Sequence, residues 1–410
     1  MKVHLADLAV PCFSPEAAEV LKAMSAMAPG FSLTPEALME GAAEQAGLSE
    51  FGDPSFLAGL TALCDAYRDD DALSPYGLVA QHVQLTQLLV NRLRLEDLVA
   101  RRPEILDVEV KAPIIIAGMP RTGTTHLQNL LAADPALTHL PYWEAVEPFP
   151  LPGDTGRLDR TVAALDFVYR AMPHFRSMFD ITPTHAHEDI NLLAMEFSSM
   201  HFEVQALVPS YRDWYLSADQ TPAYAYLRKA LQALAWLRGD RRRWVLKTPQ
   251  HLEQLGPLLR IFPDATVVFT HRDPVACTAS MATMICYAYR MSRAEMDPHA
   301  VGRYWADRSA DLLNGCMRDH GLVPPDQVVD VRFHEFTTDN MAAVRRIYEV
   351  ADQPLGAASE RAFAAFLAGH GRGRHGQVDY RLDDLGLDER ELRRELTPYS
   401  ERFGLPADQR

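Results

Sequence analysis

The chain has no run of about eighteen apolar residues, the length a membrane-crossing helix needs, so no membrane span is expected. Its opening stretch, MKVHLADLAVPCFSPEAAEV, carries Asp7 and Pro11 where a signal peptide would be apolar, and a cytoplasmic protein is the expectation. Cysteine is scarce: Cys12, Cys64, Cys277, Cys286 and Cys316 are odd in number and show no C-x-x-C spacing, so neither a disulfide framework nor a zinc site is indicated. Positive charge is in deficit. With 40 Lys and Arg against 55 Asp and Glu the net charge is -15, which argues against a nucleic-acid partner. An anionic ligand must therefore be held by a local cluster of donors. Internal repeats and low-complexity tracts are also lacking.

What is present is a chain of 410 residues, 48% hydrophobic, long enough to bury a large core in two or three lobes. Residues 1–110 read as a helical N-terminal region. SPEAAEVLKAMSAM and TPEALMEGAAEQAGL each begin with a capping hydroxyl followed by proline at the first helical position. GLVAQHVQLTQLLVNRLRLEDLVARR predicts a longer amphipathic helix ending near Arg102-Pro103. Residues 111–410 alternate strand and helix, which predicts an α/β domain with a parallel sheet flanked by helices. The predicted strands are IIIAG, RWVLKTP, ATVVFTHRD and QVVDVRFHEF. A mostly helical, aromatic-rich insertion covers about 140–243; such aromatics are usually core, and some could line an apolar pocket. DERELRRELTPYSERF alternates charge at helical spacing and reads as a solvated face.

One stretch carries chemistry on its face. PIIIAGMPRTGTTHLQNLL reads as a buried strand, a glycine-threonine loop and an amphipathic helix with Leu127, Leu130 and Leu131 behind it. Gly118 and Gly123 keep the G-x-x-x-x-G spacing of a phosphate-binding loop, but Thr124 stands at the lysine position and the basic residue is Arg121, inside the loop. The backbone N–H groups of Thr122, Gly123, Thr124 and Thr125 are placed to face an oxyanion at the helix N-terminus. Further along, Arg272 ends one strand, Ser280 follows on the next helix, and Lys247 ends another strand, all where open α/β sheets bind ligands.

These motifs in this order resemble the sulfotransferases that use 3′-phosphoadenosine-5′-phosphosulfate, in their larger bacterial branch. PRTGTT is similar to the family's 5′-phosphosulfate loop, and HRDPVACTAS resembles its 3′-phosphate motif, an arginine and a serine eight positions apart (280 minus 272). KTPQH lies where cytosolic members carry a lysine-threonine-histidine motif, and GHGRGRHGQVDY resembles the late loop over the 3′-phosphate, offering Arg372 and Arg374. The resemblance spans about Pro113 to Tyr380. It implies that phosphosulfate donor as co-substrate, a small-molecule acceptor and sulfuryl transfer without a metal. Arg121 would then face the bridging oxygen that gains charge as the bond to sulfur breaks. The loop is followed by His126, where cytosolic members often carry a tryptophan that stacks on adenine.

Transfer to an alcohol needs a base. Three residues qualify: Glu144 in PYWEAVEPFP, near the glutamate of the tyrosylprotein branch; His251 in KTPQHL, two positions beyond the cytosolic histidine; and Glu188 in THAHEDINLL, at a helix start where acids commonly serve as dipole partners. Glu144 comes first in that order. His185 and His187 lack a third ligand and do not make a metal site. Two other functions compete. A nucleotide kinase would want a loop lysine and an acidic magnesium ligand, where this chain has Thr124 and Arg272, although Asp273 follows. A non-catalytic anion-binding module would not need Lys247, Glu144 and His251 together. The aromatic insertion points to an apolar alcohol or phenol as acceptor; oligomeric state is not legible.

Overall fold

The computed structural model describes residues 2–70, 72–151, 153–371 and 375–408. Its strands are β1 (Lys2–Val3), β2 (Ile114–Gly118), β3 (Leu137–His139), β4 (Arg243–Lys247), β5 (Thr266–His271), β6 (Val328–Arg332) and β7 (Gln377–Val378). Five form one all-parallel sheet in the order β3-β4-β2-β5-β6. The isoleucines of β2 are buried throughout, as expected of a parallel strand covered by helices on both faces. The chain leaves β2 toward β4 on one side and later returns to β5 on the other. The C-terminal end of β2 is thus the switch point at which such sheets open a crevice.

Three short strands were not foreseen. β3 adds a three-residue edge to β4, and β1 pairs with β7 across nearly the whole chain. None is long enough to show an alternation that local sequence could reveal.

The helical N-terminal region forms as its caps dictate. Ser14 Oγ accepts from the Ala17 N–H at 3.2 Å and Thr34 Oγ1 from the Ala37 N–H at 3.3 Å. The long helix Pro75–Arg101 is anchored at its start, where the backbone N–H and the hydroxyl of Ser74 both donate to the Ser292 carbonyl at 2.9 Å. Gly77 belongs to this junction: a Cβ there would stand 2.1 Å from the same carbonyl oxygen. In the insertion, Tyr211, Tyr215 and Tyr224 are core, as expected of most of its aromatics. The C-terminal helix Glu389–Phe403 is less solvated than its charges imply. Leu392, Leu396, Tyr399 and Phe403 form a buried stripe, and Tyr399 Oη is 2.6 Å from His271 Nδ1. Among the described residues, no helix is long and apolar enough to cross a membrane.

Candidate active site

The register of the sheet assembles the site. Gly118 of β2 pairs with Thr270 of β5, and Ile116 pairs with Lys247 of β4. The loop after β2 is therefore flanked by Lys247 on one side and Arg272 on the other. Gly118 is required by close approach, since a Cβ would lie 1.9 Å from Thr270 Oγ1. Thr122 Oγ1 donates to the Met119 carbonyl at 2.7 Å and is 2.6 Å from Thr270 Oγ1, so its hydroxyl holds the loop together. Gly123 has φ +90° and opens the helix Thr124–Ala132, whose first N–H groups have no intrahelical acceptor. Thr125 Oγ1 is 3.4 Å from Lys247 Nζ.

Arg121 has φ +76°, a left-handed conformation that costs a residue with a Cβ on the order of 1 kcal/mol. Its guanidinium gathers distant pieces of chain. Nε donates to Ser280 Oγ at 2.9 Å, Nη1 to the Met178 carbonyl and Nη2 to Tyr380 Oη at 3.4 Å. Arg272 Nη1 in turn donates to the Arg121 carbonyl at 2.7 Å. Arg121 thus meets Arg272 and Ser280, about 150 residues further along the chain, in one cluster.

Two cavities open from this cluster. A polar groove of about 1110 Å³ is lined by Arg121, Arg272, Ser280, Phe333, Tyr380 and Asp408, among others. A chamber of about 640 Å³ is walled by apolar side chains, including Leu165, Met172, Phe175, Phe179 and Met284, and reaches Thr124, Thr125 and Glu188. Among the described residues, Arg121 alone lines both.

The three candidate bases fall in three different environments. Glu144 is buried in an ion pair with Arg238, whose Nη1 also donates to Thr138 Oγ1 at 3.2 Å and the His139 carbonyl at 3.0 Å. The ion pair ties the helix Thr221–Arg238 to the helix Tyr142–Val146, the two Nη1 bonds tie it to β3, and Glu144 is not among the residues lining either cavity. His251 is fully buried, with Nδ1 2.9 Å from Tyr224 Oη and Nε2 3.2 Å from Asp189 Oδ2. Asp189 Oδ1 accepts the Lys247 backbone N–H at 2.9 Å, so His251 lies behind the strand end and is not among the residues lining the chamber. Glu188 lines the chamber and is ion-paired with Lys247 Nζ. The dipeptide Glu188-Asp189 therefore grips Lys247 twice, by its ammonium and by its backbone. Sequence reasoning missed Asp189 and Tyr224, whose only signal was adjacency to Glu188 and a place among the insertion's aromatics.

Charge in the chamber comes from few groups. Burial pushes the imidazoles of His185 and His201 down to about 4 and that of His187 well below its ordinary range, so all three are neutral at pH 7. Among the described residues, the cations beside Glu188 and the loop are then Lys247 and Arg121. His126 packs between Phe336 and Phe366, with ring centroids 5.7 and 5.5 Å away. Arg372 and Arg374 lie outside the described residues. Among the described residues, no three or more His, Cys, Asp or Glu are grouped so as to hold a metal ion.

A model described as the sulfotransferase family matches residues 113–356. Sulfotransferase STF9 from Mycobacterium avium superposes with a TM-score of 0.82 at 30% identity, covering 92% of this chain and 98% of that one. Sulfotransferase STF1 from Mycobacterium tuberculosis gives 0.79 at 28% identity, over 89% and 98%. Curated relatives from Mycobacterium bovis and Mycobacterium tuberculosis, named omega-hydroxy-beta-dihydromenaquinone-9 sulfotransferase Stf3, are 26% identical over 254 residues. That match covers 58% of this chain and spans 62% of the relatives' length.

Proposed function

The chain belongs to the sulfotransferase family, and on that premise we propose that it moves a sulfuryl group from 3′-phosphoadenosine-5′-phosphosulfate to a hydroxyl on an apolar, lipid-like small molecule. The observation that carries this reading is the junction at Arg121, with a polar, arginine-lined groove on one side and an apolar chamber on the other. Arg272 and Ser280 suit the donor's 3′-phosphate, and the N-terminus of the helix Thr124–Ala132 suits its 5′-phosphosulfate. A chamber of about 640 Å³ falls in the usual size range of small-molecule sites, and its wall accords with an acceptor of the kind for which the curated relatives are named.

In this reading Glu188 is the base. It takes the proton of the acceptor hydroxyl as the oxygen attacks sulfur, and the bond from sulfur to the bridging phosphate oxygen breaks with its electron pair left on the phosphate. Lys247 lies between Glu188 and Thr125, so one ammonium reaches both the base and the loop that faces the sulfuryl oxygens. The unpaired N–H groups of Thr124 and Thr125 and the Arg121 guanidinium offset the remaining charge. Catalysis here is positioning and electrostatics. His251 and Asp189 hold Lys247 from behind.

The donor is tested by thermal unfolding. Adenosine 3′,5′-bisphosphate at a hundredfold excess over its Kd should stabilise the protein by about 2.7 kcal/mol, and ATP with magnesium by far less. Equal or greater stabilisation by ATP would turn the reading toward a nucleotide kinase. Sulfate transfer from labelled donor to a panel of apolar alcohols, phenols and sugars then identifies the acceptor class.

The two arginines should separate kinetically. Arg272→Ala is expected to raise the donor KM with little change in kcat, because a 3′-phosphate is bound alike in ground and transition states. Arg121→Ala should lower kcat as well. Identical profiles for the two variants would remove that division of labour.

A further inference from the structure

Arg272 is held from three directions. Its Nη1 donates to the Arg121 carbonyl at 2.7 Å, its guanidinium lies 4.2 Å from the centre of the Phe333 ring, and its Nε donates to Asp408 Oδ2 at 2.7 Å. Asp408 comes from the segment beyond the C-terminal helix Glu389–Phe403, which turns at Gly404 with φ +61°. The backbone N–H of Asp408 donates to Asp273 Oδ2 at 2.9 Å, so the tail is pinned to both members of the Arg272-Asp273 pair. Asp408, Arg272 and Ser280 line the same groove. A carboxylate and a phosphate monoester are bound by the same fork of guanidinium N–H groups.

We propose that Asp408 is an internal competitor for the donor's 3′-phosphate: a tail carboxylate that occupies Arg272 and must release it before the nucleotide can bind. The proposal rests on the reading of Arg272 and Ser280 as the 3′-phosphate site. A phosphate monoester brings more charge and one more acceptor oxygen than a carboxylate, so it wins the exchange. The exchange still lowers apparent affinity, in proportion to the time the tail spends engaged. Arg272 and Asp408 are 25% and 26% exposed, so water reaches the pair and it can part without opening the core. The reaction leaves the 3′-phosphate on the product, adenosine 3′,5′-bisphosphate. The same carboxylate therefore has a second use, recapturing Arg272 as the product departs.

A brace that held Arg272 in its binding geometry would have the opposite signature, because its removal would weaken nucleotide binding. Calorimetric titration of the protein and of its Asp408→Asn and Asp408→Ala variants decides between the two roles, with adenosine 3′,5′-bisphosphate and adenosine 5′-monophosphate as ligands. If the tail is engaged for between half and nine-tenths of the time, the bisphosphate should bind the variants about two- to tenfold more tightly. The monophosphate, which has no 3′-phosphate to compete, should change by less than about twofold. Unchanged or weaker bisphosphate binding overturns the competitor role, and so does an equal gain for both nucleotides. Failure of the wild-type protein itself to bind the bisphosphate would instead remove the donor assignment, and the competitor with it.

Discussion

Replacing Glu188 with glutamine is expected to lower turnover on an aliphatic alcohol by about 10²- to 10⁴-fold while donor binding survives. Glutamine keeps the shape of the side chain and can still accept a hydrogen bond from Lys247, but it cannot take a proton. Of the three candidate bases, Glu188 is the one whose residue borders the chamber. The same substitution at Glu144 should act through stability, because it removes the ion pair that a half-buried Arg238 makes with a buried carboxylate. His251→Asn should lower turnover less than Glu188→Gln, by loosening the hold of Asp189 on the Lys247 backbone. An alcohol is the sharper probe, since a phenol of low pKa needs little help in losing its proton. A folded Glu144→Gln protein without activity, beside an active Glu188→Gln protein, would reassign the base.

The largest loss of stability is expected from Arg308→Ala, about 3–5 kcal/mol. Arg308 is fully buried between two carboxylates: Nε lies 3.0 Å from Glu203 Oε2, and Nη1 donates to Glu253 Oε2 at 2.7 Å. Tyr304 and Tyr215 donate to the same carboxylates at 2.6 and 2.9 Å. This network fastens the segment that follows Lys247 to the helix Pro298–Asp319 and to the helix His201–Gln205, whose Val204 and Gln205 line the chamber. Without the arginine two buried carboxylates face each other. Burial already raises the Glu203 carboxyl above its ordinary range, with Arg308 opposing. Removing Arg308 raises it further. A group whose folded pKa is raised contributes stability below its unfolded pKa of about 4 and loses it as pH climbs toward the folded value. The variant's deficit should therefore shrink as the solution is acidified. Urea unfolding at two pH values measures both effects, and adding Glu203→Gln and Glu253→Gln should recover part of the loss at neutral pH. A deficit under about 1 kcal/mol, or one that grows in acid, would show that the charges are not what the network needs.

Much of the loop and of the polar groove beside it was legible in the sequence. The loop could be read because glycine spacing, an apolar strand before it and a leucine stripe after it are local features. Arg272, Ser280 and Lys247 could be placed because residues at strand ends in an alternating pattern share one edge of the sheet. The base could not be ranked in the same way. Glu144, Glu188 and His251 are all acids or imidazoles near helix starts, and what separates them is a partner from elsewhere: Arg238 for Glu144, Lys247 for Glu188, Asp189 and Tyr224 for His251. The aromatics of the insertion show the same limit. Tyr211 and Phe179 look alike in sequence, yet one is core and the other lines the chamber.

By itself, then, the sequence determined a parallel α/β sheet, a glycine-spaced strand-to-helix loop built around Arg121, and a basic strand end at Arg272. Hydrophobic period, glycine spacing and helix caps act over a few residues and carry that information. The tertiary structure alone decided which carboxylate borders the chamber, that Arg121 joins two cavities, and that Asp408 sits on Arg272. Those outcomes depend on desolvation and on charges a few ångströms apart, and the chain brings such charges together only when residues remote in sequence pack against one another.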